Sequence, residues 1–501
     1  MDNLQEIVKL LPDEACQAFG LFVNHQKQKK ARKDLQLFEL LRKEKLRKPA
    51  EYLEKLSAVP NTNAYHALRK RLFRQLLQFL VLQRMDADST SASQLMGIIS
   101  LCRYLYEQNN EALAWHYLKK AEALATENEQ YELLHSLYTL QIEYSGSEWA
   151  DPLQSIIRKR EKNKKLLELE ENAALASALI RQRLKEVRLE SRQIPLDNII
   201  SKTLYEFGLH DSLYQRPKFL YSILSITRSA MLAKKDFYAF EPYILQQYRS
   251  LSQQQAFTRA NHFYKLSILY MLCHVLYRNR KFRQALAYLQ QFEKDLQEHQ
   301  GAYQRKFQVQ YLMLLAAVKS YLGESMESIQ LLEESLENCS FLKEEERLQM
   351  LLNLGLYYFQ HQNLKKANQI SLRIGHTDAW CAKKLGKEWV MKKNLMELII
   401  QYELGNTDLV DDRLRAFHQQ YKGMYRNPLY KRVKLYLDFL QQINGQPQLL
   451  HDKTLEQKIT NSLTTVPEAQ EDLQAMTFYS WLKAKLHKRP FYEVLLETVQ
   501  P

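Results

Sequence analysis

The sequence predicts an all-α protein in which antiparallel helix pairs stack into an α-α superhelix behind a small helical N-terminal region. Glycine and proline occur only 12 times each in 501 residues, against typical usage of about 7% and 5%, so few residues break helices. Apolar residues make up 46% of the chain, which excludes wholesale disorder. They recur at helical spacing in pair after pair from 266 to 417, and this pattern predicts stacked helical hairpins.

The clearest helix pair is the segment LLNLGLYYFQHQNLKKANQISLRI at 351–374. Leu354, Gly355 and Tyr358 fall on one face of its first helix, and Ala367 falls on the apolar face of the second. Gly355 and Ala367 are small enough to let the two helix backbones approach closely. We therefore predict an αα-hairpin in this segment.

This L-G-x-x-Y pattern, followed by a small residue on the second helix, resembles the signature of the tetratricopeptide (TPR) repeat. Aligned on Ala367, further copies place Ala285, Ser328 and Val410 at the same position, at spacings of 43, 39 and 43 residues. The family repeats every 34 residues or so, so the resemblance implies degenerate repeats with longer helices or loops. The residues expected to pack within the repeats are Leu354, Gly355, Tyr358, Ala367, Ala285, Ser328, Gly405, Ala114 and Ala121.

Four regions are expected along the chain. Residues 1–90 form a basic helical N-terminal region, and the polar stretch DADSTSAS at 86–93 is the expected linker to the next region. Residues 91–260 form degenerate helical repeats that include a long helix. Residues 261–420 hold the best-preserved TPR-like repeats, and residues 421–501 hold further helical repeats and a hairpin that caps the last apolar face. This layout is similar to that of large bacterial helical-repeat proteins of unassigned function.

The N-terminal region concentrates positive charge. Between residues 25 and 48 there are ten Lys and Arg against three acids, within a chain of net charge +14. One interpretation is a surface that contacts the phosphates of nucleic acid; the other is a solvated face, which the lack of a base-stacking aromatic pattern favours. The basic residues that the first interpretation would place on a presenting helix are Arg69, Lys70, Arg71 and Arg74.

The cysteines and the apolar runs bear on the compartment. Five cysteines are scattered without a C-x-x-C pair, which indicates free thiols in a reducing compartment and not a disulfide framework or a zinc site. The N-terminus lacks the apolar core of a signal peptide. The most apolar run, LSILYMLCHVLY, has twelve residues, too few to span a bilayer. We therefore predict a cytoplasmic protein without a membrane span.

The sequence lacks the linear motifs that mark common catalytic sites. It contains no H-E-x-x-H, G-x-S-x-G, P-loop or G-x-G-x-x-G pattern. Its thirteen histidines are dispersed, and the paired acids Asp411 and Asp412 fall where acids favour the dipole of a helix start. We therefore predict a protein that is not an enzyme and that has no cofactor and no metal site.

The TPR resemblance implies that the first helix of each repeat lines a concave groove. The positions that family members use there carry aromatic and amphipathic residues with few charges, which suits an extended or helical peptide better than a small molecule. The alternative for each residue is packing against a neighbouring helix. The expected groove residues are Tyr270, His274, Tyr277, Arg278, Tyr321, Asn353, Phe359, Lys392 and Tyr402.

One function of the TPR family can be compared residue by residue. Clamps for the acidic C-terminal tails of chaperones use Lys and Asn in a first repeat, Asn in a second, and Lys and Arg in a third. Asn353 and Lys392 match this pattern. Met313, Ala317 and Met396 stand in place of the other Lys, Asn and Arg, so chaperone-tail binding is not expected.

The leading hypothesis is a protein-protein interaction scaffold that binds a peptide or protein segment in the groove. The alternative is a nucleic-acid-associated or regulatory protein that docks on phosphate through residues 1–90 and uses the helical repeats as a sensor. Binding to nucleic acid should weaken steeply as salt rises, whereas groove binding need not. Neither hypothesis fixes the oligomeric state or the identity of the partner.

Overall fold

A computed structural model shows the chain as α-helices joined by turns and short irregular segments, with no strand in the part that it describes. The all-α class is therefore confirmed for this part of the chain. The described residues are 3–11, 13–25, 33–43, 51, 52, 55, 56, 61–87, 91–190, 196–209, 216–234, 238, 240–339, 342–423, 425, 428–454, 457–459 and 473–499.

Residues 1–167 form one compact unit. Its first four helices pack around a core of their own, in which Phe19 contacts Phe38 and Phe79 at ring-centroid distances of 4.9 and 5.4 Å. A separate core joins the next three helices to Ile156. The helices are α1 (Asn3–Leu10), α2 (Asp13–His25), α3 (Lys33–Lys43), α4 (Thr62–Ala87), α5 (Ser91–Glu107), α6 (Glu111–Glu127), α7 (Tyr131–Glu143) and the first part of α8 (Leu153–Glu190).

The expected linker at 86–93 is shorter than its polar composition indicates. Residues 86 and 87 end α4 and residues 91–93 begin α5, while residues 88–90 lie outside the described residues. The long helix expected in the second region is α8, which runs for 38 residues. The division between the two compact units falls inside this helix, after residue 167.

A half-buried carboxylate joins three helices of this unit. Glu122 on α6 accepts hydrogen bonds from Gln141 on α7 at 2.9 Å and from Lys159 on α8 at 2.8 Å. Asn163 of α8 also donates to the backbone carbonyl of Tyr131 at 2.9 Å. Lys159 lies in a basic stretch of the sequence at 158–165, and its charge pairs with Glu122 inside the unit.

Residues 168–501 form the second compact unit. Sequence-adjacent helices pack together, and one continuous hydrophobic core reaches from Leu220 to Val499. Its elements are the rest of α8, α9 (Leu196–Glu206), α10 (Pro217–Lys234), α11 (Phe240–Gln253), α12 (His262–Arg278), α13 (Phe282–Gly301), α14 (Gln304–Tyr321), α15 (Ser325–Asn338), α16 (Glu344–Gln360), α17 (Leu364–Leu372), α18 (Asp378–Leu385), α19 (Lys387–Glu403), α20 (Thr407–Tyr421), α21 (Pro428–Gly445), a 3-10 helix (Pro447–His451), α22 (Leu473–His487) and α23 (Phe491–Val499).

Five helix pairs share one turn geometry: α5/α6, α12/α13, α14/α15, α16/α17 and α19/α20. The connection from α6 to α7 has it too, with Glu129 at φ of 50°. Each connection has three residues, and the middle residue adopts the left-handed conformation that ends many helices. The third residue then donates its N–H to the carbonyl five residues earlier, as Asn363 does to Tyr358 at 2.9 Å. The left-handed residues are Asn109, Arg280, Gly323, Gln362 and Gly405, with φ of 54°, 61°, 96°, 58° and 77°.

The same five pairs place two buried residues twelve positions apart where their helices meet. In α14/α15 the Ser328 hydroxyl donates to the carbonyl of Ala316 at 2.8 Å, and in α5/α6 the Cys102 thiol donates to the carbonyl of Ala114 at 3.6 Å. In these two pairs a short side chain of one helix reaches the backbone of the other. The pairs are Cys102 with Ala114, Cys273 with Ala285, Ala316 with Ser328, Gly355 with Ala367, and Leu398 with Val410.

Gly355 leaves space that side chains of two other helices fill. A Cβ atom at this position would lie 3.2 Å from Cε of Met396 and 3.5 Å from Cγ2 of Ile370. The missing side chain therefore makes room for the thioether of α19 as well as for α17. Met396, which stands where a chaperone clamp carries Arg, is a core residue here.

Among the described residues, no helix has both the length and the apolar character needed to cross a membrane. All five cysteines are free thiols, and all except Cys339 are buried.

Candidate protein-binding face

The expected groove residues lie on α12, α14, α16 and α19, the first helices of four successive pairs. We call the surface that they mark the first-helix face. Its two ends have different surroundings. One end, on α12, contacts α10, and the other end is covered by the C-terminal helices α22 and α23. The residues that define the face are Tyr270, His274, Tyr277, Arg278, Tyr321, Asn353, Phe359, Lys392 and Tyr402.

The α12 end carries half-buried aromatic and cationic side chains. Tyr270, His274 and Tyr277 follow one another along the helix, with ring centroids 6.4 and 6.3 Å apart. Arg228 of α10 places its guanidinium carbon 5.8 Å from the centre of the Tyr270 ring. Arg278 completes this end at the last turn of α12. The four sequence-expected residues of α12 are therefore brought together, and Arg228 joins them.

Burial and two arginines set the electrostatics of this end. Burial, together with the charges of Arg228 and Arg278, lowers the pKa of His274 well below its usual range. Burial raises the pKa of Tyr270, while the charge of Arg228 opposes that rise. His274 and Tyr270 are therefore both neutral near pH 7, and the two arginines supply the positive charge.

Tyr321 begins the covered end of the face. Only 4% of its surface is exposed, and its ring stacks on Phe282 at a centroid distance of 5.1 Å. Its hydroxyl donates to the backbone carbonyl of Leu473 on α22 at 3.4 Å. Next to it, the hydroxyl of Tyr492 on α23 donates to the carbonyl of Ser320. Tyr321 thus packs in the interior and beneath the C-terminal hairpin.

The same hairpin covers the end of α16. Phe359 is 3% exposed and contacts Phe491 of α23 at a centroid distance of 5.5 Å. His361, in the turn after α16, contacts the ring of Tyr492 at 4.9 Å. Tyr321 and Phe359 therefore pack against neighbouring helices. This is the alternative that the sequence left open to a position in an open groove.

At α19 the contact with the hairpin includes a shared carboxylate. Tyr402 meets Trp481 of α22 edge to face at a centroid distance of 5.5 Å. Glu403 accepts hydrogen bonds from Nε1 of Trp481 at 2.5 Å and from Nζ of Lys485 at 2.6 Å. A cavity of about 400 Å³ remains between the hairpin and the ends of α16 and α19, lined in part by Lys488 and Arg489.

Trp481 and Phe491 lie in α22 and α23, the hairpin expected to cap the last apolar face of the chain. These helices contact the ends of three first helices, as far back in the chain as Ser320, and α22 also packs against Tyr436 of α21. Asn353 and Lys392, the two positions that match the chaperone clamp, are half-buried on α16 and α19.

The residues expected to pack within the repeats are buried, with one difference. Gly405 is exposed and adopts the left-handed φ of 77° in the turn before α20. It therefore serves the turn and not the helix contact. Tyr358 combines burial with polar contacts, because its hydroxyl bonds Glu333 and accepts from Nζ of Lys366 at 3.0 Å.

The basic candidates of the N-terminal region are only partly available. The guanidinium of Arg71 holds both carboxylate oxygens of Asp34, with a shortest distance of 2.7 Å, and Nη1 of Arg69 lies 3.5 Å from the Tyr65 hydroxyl. Lys70 and Arg74 are exposed on α4. Seven of the ten Lys and Arg between 25 and 48 lie outside the described residues.

Two parts of this face did not follow from the sequence. Arg228 lies in a segment with weak repeat character, and only its place on α10 beside Tyr270 marks it. The contact of α22 and α23 with the first helices joins positions up to 172 residues apart, which no local pattern encodes. The aromatic residues of SWLKAKLHKRPFYEVL at 480–495 were the available signal that this hairpin packs against other helices.

No protein-family model, no curated protein and no solved structure matches this chain.

Proposed function

We propose that the chain is a non-enzymatic cytoplasmic scaffold of degenerate TPR-like repeats that binds an acidic, amphipathic protein segment at the α12 end of the first-helix face. The five helix pairs with one turn geometry and one spacing of buried residues support a repeat architecture. Stacking of such pairs into a superhelix would expose successive first helices on one side, which is how helical-repeat proteins form extended binding surfaces.

The observation that carries the proposal is the helical hairpin already bound by the other end of the same face. The α22/α23 hairpin contacts three successive first helices through aromatic side chains. The carboxylate of Glu403 accepts hydrogen bonds from Trp481 and Lys485. A face that binds one amphipathic hairpin has the chemistry to bind a second helical segment beside it. Such helix-in-groove binding uses apolar anchors at intervals of three or four residues.

The charge at the α12 end selects among possible segments. Arg228 lies 5.8 Å from the centre of the Tyr270 ring, and the charges of Arg228 and Arg278 both lower the pKa of His274. Arginine binds carboxylates through two parallel hydrogen bonds, and the rings of Tyr270 and Tyr277 offer apolar area beside them. A segment with one or two acids next to aromatic or aliphatic side chains fits this surface.

Selection from a displayed library of random helical peptides against the full-length chain tests the proposal. We expect the selected peptides to be enriched in Asp and Glu next to aromatic residues. The Arg228→Glu/Arg278→Glu variant should weaken their binding at least tenfold, because a desolvated charge contact is worth about 1.5–3 kcal/mol. The matched control is Arg283→Glu, which reverses an exposed arginine on the second helix of the same pair.

Equal weakening by Arg283→Glu would contradict the proposed site, and so would selected peptides without acidic enrichment. The nucleic-acid alternative gives a different result. In that case, short DNA or RNA should bind at low salt, lose affinity steeply as salt rises, and respond to Lys70→Glu/Arg74→Glu but not to the change at Arg228 and Arg278.

A further inference from the structure

Two histidines and a glutamate meet where α12 begins and α13 ends. His262 is the first residue of α12, and Glu298 and His299 lie in the non-helical last turn of α13. His299 and Gln300 adopt left-handed φ values of 53° and 61°, followed by Gly301 at 67°. This reversal of the backbone turns His299 back towards the start of α12. Sequence spacing cannot show this cluster, because its members stand 36 and 37 residues apart.

The three side chains are close enough to share an ion. One ring nitrogen of each histidine and one carboxylate oxygen lie within 4.8 Å of one another. Nδ1 of His262 is 3.6 Å from Oε2 of Glu298, and the two imidazoles meet edge to face with centroids 4.6 Å apart. Two imidazoles and a carboxylate are a ligand set that zinc takes in proteins, with a water in the fourth position.

His262 is the fixed member of the cluster. It is 2% exposed, and its Nε2 has no hydrogen-bond partner among the described residues. The imidazole also packs against the ring of Tyr303 at a centroid distance of 5.9 Å. A buried polar atom without a partner is costly, and metal binding would satisfy it.

The charges around the cluster leave it net negative. Lys265 lies 3.0 Å from Asp295 and 3.4 Å from Glu298, so one cation faces two carboxylates. Asp295 is buried and also accepts from Gln291 at 2.7 Å. Lys265 can therefore stay on Asp295 while Glu298 turns to an ion. Lys306 lies over the Phe263 ring, with Nζ 4.0 Å from its centre.

We propose that His262, Glu298 and His299 bind a divalent transition-metal ion of the zinc class. Zinc–nitrogen distances of about 2.0–2.1 Å place tetrahedral ligands about 3.3 Å apart, so the ligand atoms, which lie within 4.8 Å of one another, must approach by up to about 1.5 Å. Glu298 and His299 are exposed, and rotation of their side chains allows that closure. The ion would join the start of α12 to the end of α13, beside the pair that carries the α12 end of the first-helix face.

The test uses the full-length chain after removal of metal by a chelator. The affinity for Zn²⁺ is measured by competition with a chromogenic indicator. In a separate sample Co²⁺ is added, and its visible absorption spectrum reports whether the site is tetrahedral. We expect one strong site per chain and a rise in the thermal unfolding midpoint on addition of Zn²⁺. His299→Ala and Glu298→Gln should each weaken Zn²⁺ binding at least tenfold, since even partners that only support ligands change affinity by about 10- to 100-fold.

The matched control is His116→Ala, which removes an exposed histidine of α6. It should bind Zn²⁺ as the unaltered chain does. Because Glu298 and His299 are exposed, their variants should retain the helical circular-dichroism signal, and a loss of binding then reports the site and not unfolding. Wild-type affinity in both His299→Ala and Glu298→Gln, or failure of the unaltered chain to compete with the indicator, would overturn the proposal.

Discussion

The two ends of the first-helix face are built from the same kind of helix pair but have different surroundings. At the α12 end, Tyr270 and His274 are half-buried beside Arg228 of α10. At the α16 and α19 end, Phe359 and Tyr402 are covered by α22 and α23. The buried residue pairs and left-handed turns are the same at both ends, so hairpin geometry does not decide exposure. Exposure depends on which other segment of the chain packs on each first helix.

Trp481→Ala tests the covered end and should have the largest effect. The side chain is among the largest that are fully buried, so its removal leaves a cavity and should lower the free energy of unfolding by about 3–5 kcal/mol. Urea unfolding measures the loss, and faster amide exchange in α22 and α23 locates it. Trp149→Ala, which truncates an exposed tryptophan, should change the free energy by less than about 0.5 kcal/mol. Similar losses in both variants would contradict the placement of Trp481.

Glu403→Gln weakens the polar link between α19 and the hairpin. It removes the negative charge that accepts hydrogen bonds from Trp481 and Lys485, which should lower the free energy of unfolding by about 1.5–3 kcal/mol. The matched change is Asp412→Asn, where an exposed carboxylate pairs with Arg415 and is worth less than about 1 kcal/mol. If both variants unfolded at the same urea concentration, Glu403 would not link the two elements.

Gly405→Gln and Gln362→Gly exchange two residues at the same turn position. Gly405 has φ of 77° and Gln362 has φ of 58°, a region that costs a residue with a side chain roughly 1–2 kcal/mol. We expect Gly405→Gln to lower the thermal unfolding midpoint and Gln362→Gly to raise it slightly. Opposite signs in one calorimetric comparison would support a common turn, and a midpoint lowered equally by both changes would argue against it.

His274→Asn probes the α12 end and should have the smallest effect. Burial and the charges of Arg228 and Arg278 lower the pKa of His274 below its ordinary value of 6.5. The unfolded chain therefore takes up this proton more readily, so His274 contributes stability above pH 6.5 that is lost as the pH falls towards its lower folded-state pKa. Unfolding midpoints at pH 7 and pH 5 should differ less in the variant. An unchanged difference would mean that His274 is not held neutral.

Much of the helical pattern could be read from the sequence, because it depends on local periodicity. Ala114, Ala285, Ser328 and Ala367 stand where short side chains are expected, and all are buried. The left-handed turns were harder to read. Glycine fills this position only at 323 and 405, while Asn109, Arg280 and Gln362 fill it elsewhere, and no composition rule marks them.

By itself the sequence determined an all-α chain of helix pairs, because few helix breakers and a period of 3.6 residues act within a few turns of a helix. The tertiary structure decided which first-helix residues remain at the surface. Tyr492 contacts Ser320 because a distant segment of the chain packs there, and His262 meets His299 because the backbone reverses at the end of α13. Such contacts depend on packing over the whole unit, which no short stretch of the sequence contains.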